Sequence, residues 1–147
     1  ISGSASVTRE VKKIRVTAMA PTSLAVGTVV CEKWSTAPTG GTATTLTRVP
    51  LNSAFPAAQT DGLVQVYTAA PTEGTLVGTL GPRRVIMKSR TTVVDAARTP
   101  DVEFRFGKKS TFPGILNGTA QAISLAFSAN PPSTVALVVE VEWTEEA

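Results

Sequence analysis

The chain is 147 residues long with a net charge of +3, an ordinary apolar share, a low charged share, one cysteine and no histidine. That length makes one domain able to bury a real core. Without histidine the commonest general base, every histidine-dependent triad and the commonest metal ligand are excluded, and one cysteine supplies neither an internal disulfide nor a zinc site.

Threonine is over-used, and this β-branched residue favours strands. Ten prolines and eleven glycines, spread along the chain, leave no room for a long helix. No apolar run reaches transmembrane length and no signal peptide is evident, so no membrane partner is expected. The chain starts at Ile1 rather than methionine, so a leading residue or arm is expected to be missing or removed.

Residues 1–10 are small and polar and read as a flexible arm, with a single β domain over 11–147. From Val11 to Ala18 the pattern alternates. Ile14, Val16 and Ala18 share one face, with Lys13, Arg15 and Thr17 on the other. Pro21 ends this strand, and Val26 to Trp34 is apolar on both faces, hence central. Cys31 in that run reads as a small hydrophobe. Gly40-Gly41 predicts a tight turn, followed by a Thr-rich strand from Ala43 to Leu51 and a loop over 51–61.

Short strands are predicted from Leu63 to Thr68 and from Thr75 to Leu80, joined by a turn at Pro71 to Gly74, with Gly81-Pro82 ending the second. Val85 to Met87 is a further apolar piece, and Val93 to Arg98 offers one helical turn at most. Val102, Phe104 and Phe106 alternate with Glu103 and Arg105 in a strand closed by Gly107. Asn117-Gly118 is a turn signal, although Asn117-Gly118-Thr119 also matches a glycosylation acceptor. Ile123, Leu125 and Phe127 face inward in the next strand. In the last, Val135, Leu137, Val139, Val141 and Trp143 are expected in the core opposite Glu140 and Glu142. About nine short strands separated by turn signals predict an all-β, antiparallel β-sandwich, jelly-roll-like.

Charge is uneven along the chain. Arg9, Lys12, Lys13 and Arg15 outweigh Glu10 at the start, residues 83–109 are strongly basic, and Glu140, Glu142, Glu145 and Glu146 make the end acidic. Such segments pair within one molecule or between neighbouring copies. The carboxylates Glu140 and Glu142, two apart on one strand face, sit at a spacing that a glycosidase could use. Their alternation with apolar residues reads instead as a solvent face, so no catalytic, cofactor-binding or metal-binding residue is expected and no cofactor is implied. The basic residues have no interleaved aromatic platform, so direct nucleic-acid binding is not expected.

Several segments resemble small β-structured virion proteins of tailed bacteriophages. They are Trp34-Ser35-Thr36-Ala37-Pro38-Thr39-Gly40-Gly41-Thr42, Val49-Pro50-Leu51-Asn52-Ser53, Pro56-Ala57-Ala58, Val66-Tyr67-Thr68-Ala69-Ala70-Pro71-Thr72 and Gly74-Thr75-Leu76-Val77-Gly78. Phe104-Arg105-Phe106-Gly107, Leu116-Asn117-Gly118-Thr119-Ala120-Gln121 and Val141-Glu142-Trp143-Thr144-Glu145-Glu146 continue the likeness. It departs at Phe104, where Trp then Asp commonly precede Phe-Gly, and at Asn117, where an arginine often stands.

The resemblance implies a non-enzymatic structural protein of the virion. The first expectation is a capsid decoration or cement protein on the capsid exterior, homo-oligomeric and bound to the major capsid protein; the alternative is a head- or tail-fibre module that binds the host surface. Contacts are expected from Arg9, Lys12, Lys13 and Arg15, from Arg83, Arg84, Lys88 and Arg90, and from Glu145 and Glu146.

Overall fold

The computed structural model describes residues 1–20, 25–47, 49, 64–89, 101–107, 114–127 and 136–146, and among them there are nine strands and no helix. Strand β1 (Thr8–Ala20) is the spine. One of its edges pairs antiparallel with β9 (Ala136–Glu146), from Thr8 opposite Glu146 to Met19 opposite Ala136. The other edge is shared in turn by β7 (Ile115–Leu116), β6 (Val102–Arg105) and the end of β5 (Leu76–Ser89), the last in parallel.

In the second layer β2 (Ala25–Trp34) lies between β5 and β8 (Ala122–Phe127), antiparallel to both. Its position confirms the expectation drawn from its two apolar faces. One core joins the layers. Val11, Ile14 and Val16 of β1, Val102 and Phe104 of β6, and Leu116 of β7 meet Val29 and Cys31 of β2, Val85 of β5 and Ile123 of β8. The protein is all-β, with antiparallel sheets packed together as in a β-sandwich.

Two bulges decide which side chains reach this core. In β1, Val11 opposes Trp143 and Lys13 opposes Glu142, so Lys12 is an extra residue. An inserted residue reverses the in–out parity of the strand. Val11 therefore faces inward with Ile14 and Val16, and the same reversal carries Arg9 inside. In β5, Val29 opposes Arg83 and Cys31 opposes Leu80, so Gly81 and Pro82 together face Val30. The sequence predicts that Gly81-Pro82 ends a strand. Instead β5 runs through it, because a bulge on an unpaired edge tolerates a residue with no N–H to donate.

Other expectations are revised by pairing. The strands either side of Pro71 to Gly74 are not a hairpin: β4 (Gln65–Ala69) pairs with β3 (Thr42–Thr45), whereas β5 pairs with β2. The first half of β9 does not run through the core. Leu137 and Val139 are each 41% exposed, and only Val141 and Trp143 of that row pack against it. The loop over 51–61, the helical turn at 93–98 and Val135 lie outside the described residues.

Cys31 is fully buried, and burial pushes its thiol up to about 12. The thiol then stays protonated in the folded chain at pH values where an unfolded chain ionises it. Between the unfolded and folded values the unfolded state binds fewer protons, so stability is expected to fall as pH rises above about 9. A Cys31→Ala variant should lose that alkaline decline in a denaturant series across pH. The same burial predicts that a thiol reagent labels the native protein only as fast as it opens globally.

Candidate interaction surface

The charged rows of β1 and β9 meet across the ladder. Strand register places Arg9 opposite Glu145, Lys13 opposite Glu142 and Arg15 opposite Glu140. On the outer face Lys13 Nζ is 2.8 Å from Glu142 and Arg15 reaches Glu140 at 3.4 Å. Arg15 also donates to Asp101, whose other oxygen accepts from Thr17 Oγ1 at 2.7 Å. The hydrogen bonds from Thr17 and then Arg15 hold the Asp101 carboxyl below the usual carboxylate range. That contribution is present above the ordinary range and is lost as pH falls. Lys12 pairs with Glu10 on its own strand at 2.5 Å. Glu140 and Glu142, spaced as a pair of catalytic carboxylates could be, are thus half of a cross-strand ladder of ion pairs.

Arg9 and Glu145 meet on the inner face. Arg9 is 1% exposed, donates from Nε to Glu145 Oε1 at 2.9 Å and from Nη1 to the Ser2 carbonyl at 3.0 Å. Trp143 Nε1 donates to the same carboxylate at 3.2 Å. A guanidinium fork satisfied from several directions can stay charged out of water, as a lone charge could not. This corrects the expectation that Arg9 and Glu145 face a partner.

The polar start of the chain is likewise docked. Ile1 and Ile123 exchange backbone hydrogen bonds of 2.9 Å in both directions, and Gly3 N–H donates to Gln121 at 2.8 Å. Ser4 is buried, and its Oγ accepts from the backbone of Ser6 and Val7. Gly3 is required here, since a β-carbon at that position would lie 2.2 Å from the Gly118 carbonyl oxygen. The expected loose arm is instead a strand-like cover on the edge of β8. Its polar composition hides that role because the contact is made by the backbone.

Arg83 and Arg84 are different. Both are exposed beside the bulge of β5 and neither has an ion pair among the described residues. Arg83 also lines a cleft of about 160 Å³, with Leu80, Gly81, Pro82, Phe104 and Arg105. The Lys88 side chain and Arg90 lie outside the described residues. Glu146 is exposed at the end of β9.

One element escaped sequence reading. Beyond the sandwich β2 and β5 continue as a two-stranded ribbon. Ser35 N–H donates to Thr75, Thr39 and Thr72 exchange hydrogen bonds, β3 pairs with β4, and Leu46 N–H donates to Val64. Gly40 and Gly41, at φ 72° and 68°, let the first arm of the ribbon bend. Every residue of β3 is exposed, and most of β4. The signal was present in the sequence as a Thr-rich stretch with no apolar face. Trp34, at the base, is buried and donates from Nε1 to Ser124 Oγ at 2.7 Å, which anchors the ribbon to β8.

No group of three or more histidine, cysteine, aspartate or glutamate side chains that could hold a metal occurs among the described residues. No family model, no curated protein and no solved structure matches the chain.

Proposed function

We propose that the protein is a non-enzymatic structural component of a tailed-phage virion, a decoration protein on the capsid exterior that binds the major capsid protein. The reading rests on the resemblance of residues 34–42 and 66–72. The observation that carries it is what those residues build. They are the two arms of the exposed ribbon, hydrogen-bonded to each other between Thr39 and Thr72 and between β3 and β4. A two-stranded ribbon whose strands are mostly exposed is marginal by itself, which supports a packing partner outside the molecule. Arg83 and Arg84, exposed and without an ion pair among the described residues, lie on the strand that leads into it.

The winding proposed is jelly-roll-like. The nested pairing of the first strand with the last and of β2 with β8 supports it, since a jelly roll is a long hairpin rolled up in that order.

Binding to capsid shells stripped of this protein tests the reading. Arg83→Glu with Arg84→Glu should lower occupancy at least tenfold at low salt, and the wild-type protein should weaken, without vanishing, as salt is raised. Truncating residues 1–10 is not an equivalent test, because those residues cover β8 and start β1. Full occupancy of the double variant, with wild-type protein insensitive to salt, would remove the electrostatic part of the reading. Absence of any binding to shells would remove the capsid itself.

A further inference from the structure

Asn117 and Gly118 carry the chain from β7 toward β8, and both are exposed. Neither the Asn117 side-chain amide nor the Gly118 N–H has a hydrogen-bond partner among the described residues. These are the two groups that react when an asparagine deamidates. The attacking main-chain nitrogen must be unbonded and in water, and a glycine leaves it uncrowded because it has no side chain. The other asparagines are less suited. Asn52 precedes Ser53, whose side chain hinders the approach, and Asn130 precedes Pro131, which has no N–H.

The same turn is the seat of the N-terminal cover. Asn117 N–H donates to Gln121 Oε1 at 3.0 Å, and Gln121 N–H donates to the Gly118 carbonyl at 3.4 Å. The Gln121 carbonyl in turn accepts from Gly3 N–H at 2.8 Å, beside the pairing of Ser2 with Ala122. Gly3 is buried, and a β-carbon on it would stand 2.2 Å from the Gly118 carbonyl oxygen. Gly118 therefore cannot shift toward residues 1–3 without displacing them.

We propose that Asn117-Gly118 is a self-modifying site: Asn117 deamidates in the folded protein, and its isoaspartate product loosens residues 1–3 from the edge of β8. The Gly118 nitrogen gives its proton to water and attacks Asn117 Cγ. The N–Cγ bond forms, the Cγ–Nδ2 bond breaks, and Nδ2 takes a proton from water and leaves as ammonia. Water then opens the cyclic succinimide. Addition at Cγ restores the main chain and leaves an aspartate, whereas addition at the Asn117 main-chain carbonyl routes the chain through Cβ and Cγ. That second product, isoaspartate, lengthens the main chain by one carbon just before the Gly118 carbonyl. A close-packed contact such as that with Gly3 has no slack for the added length. Water is the only reactant consumed, and loss of ammonia makes the change one-way. This inference does not rest on the capsid reading.

Peptide mapping by mass spectrometry of the full chain, incubated at mildly alkaline pH, tests it, with an isoaspartyl methyltransferase marking the isoaspartate. The mass gain of amide-to-acid conversion should appear at Asn117 ahead of Asn52 and Asn130. Its rate should lie within about tenfold of that in the urea-unfolded chain, since an exposed turn opens at little cost. The rate should also rise with pH, because the attacking nitrogen must lose its proton. In the isoaspartate form, isolated by ion exchange, amide exchange at Gly3 and Ile123 should be at least about tenfold faster, as local loss of protection gives. Asn117→Gln, at an exposed position, should fold as the wild type, form no isoaspartate and keep that protection. Freshly purified Asn117→Asp, with the charge but no added carbon, should keep it too. An unmodified Asn117 in the folded chain, or conversion only on unfolding, would overturn the site. Isoaspartate with unchanged exchange at Gly3 and Ile123, or an equal loss of protection in Asn117→Asp, would overturn its link to the cover.

Discussion

Phe104→Ala is expected to lower the free energy of unfolding by about 3–5 kcal/mol, the cost of emptying an aromatic site in a core that cannot fully collapse. Phe104 is 3% exposed and stands opposite Ile14 on the spine strand, with Val102 beside it and the second layer above. Val139→Ala should cost far less, below about 1.5 kcal/mol, because Val139 is already partly in water and few neighbours lose contacts. For the same reason Val139→Asp, at a position that the alternation alone places in the core, should still fold, since its carboxylate reaches solvent without being buried unpaired. Urea titrations of the three variants at low protein concentration check this ordering. A Val139→Ala loss as large as that of Phe104→Ala would mean that the core extends over β9 and that the layers are packed differently.

Arg9→Ala is the second large effect, about 3–5 kcal/mol, from a residue that the sequence places on the surface. Removing the guanidinium takes the cation from the Glu145 carboxylate on the inner face and one donor from the Ser2 carbonyl. Arg9→Lys should recover little, because a lysine ammonium cannot serve Glu145 and Ser2 with the planar fork that Arg9 provides. Replacing both partners, Arg9→Met with Glu145→Leu, should restore most of the loss, as apolar substitutes for a buried pair commonly do. A double-mutant cycle measures the coupling directly. Independent, small effects of the two single changes would show that the pair is solvated and that Arg9 is available to a partner after all.

The pair also shows why the candidate surface was only partly legible. Reading charge along the chain gathers Arg9, Lys12, Lys13 and Arg15 into one basic segment, and Glu140 to Glu146 into one acidic segment. The possibility that such segments pair within one molecule was evident, and β1 and β9 do so. Which members of each segment are left for solvent depends on parity. On β9 the alternation that puts Val141 and Trp143 inward continues to Glu145, so that residue could have been assigned to the inner face from the sequence. On β1 it could not. Lys12 opposes no residue of β9, and that one unpaired position turns Arg9 inward. Nothing in the local sequence marks a bulge there; it falls where the other edge of β1 passes from β7, opposite Arg9 and Glu10, to β6, opposite Lys13 onward.

What the sequence by itself determined is the class of fold and most of its strands. Period-two alternation in β1, β6, β8 and the second half of β9, the two-sided apolar run of β2, and the turn at Asn117-Gly118 are local signals, set by how side chains leave an extended backbone. Gly118, at φ 74°, sits where that turn requires it. The tight turn expected at Gly40-Gly41 is instead a bend within one arm of the ribbon. Only the tertiary structure decided which strands are neighbours, that β5 passes unbroken through Gly81-Pro82, that residues 1–3 cover an edge, and that residues 35–46 and 64–75 form one ribbon. Each of these depends on backbone hydrogen bonds between segments far apart in the chain. A backbone N–H or C=O is the same for nearly every residue type, so the side chains carry little record of its partner.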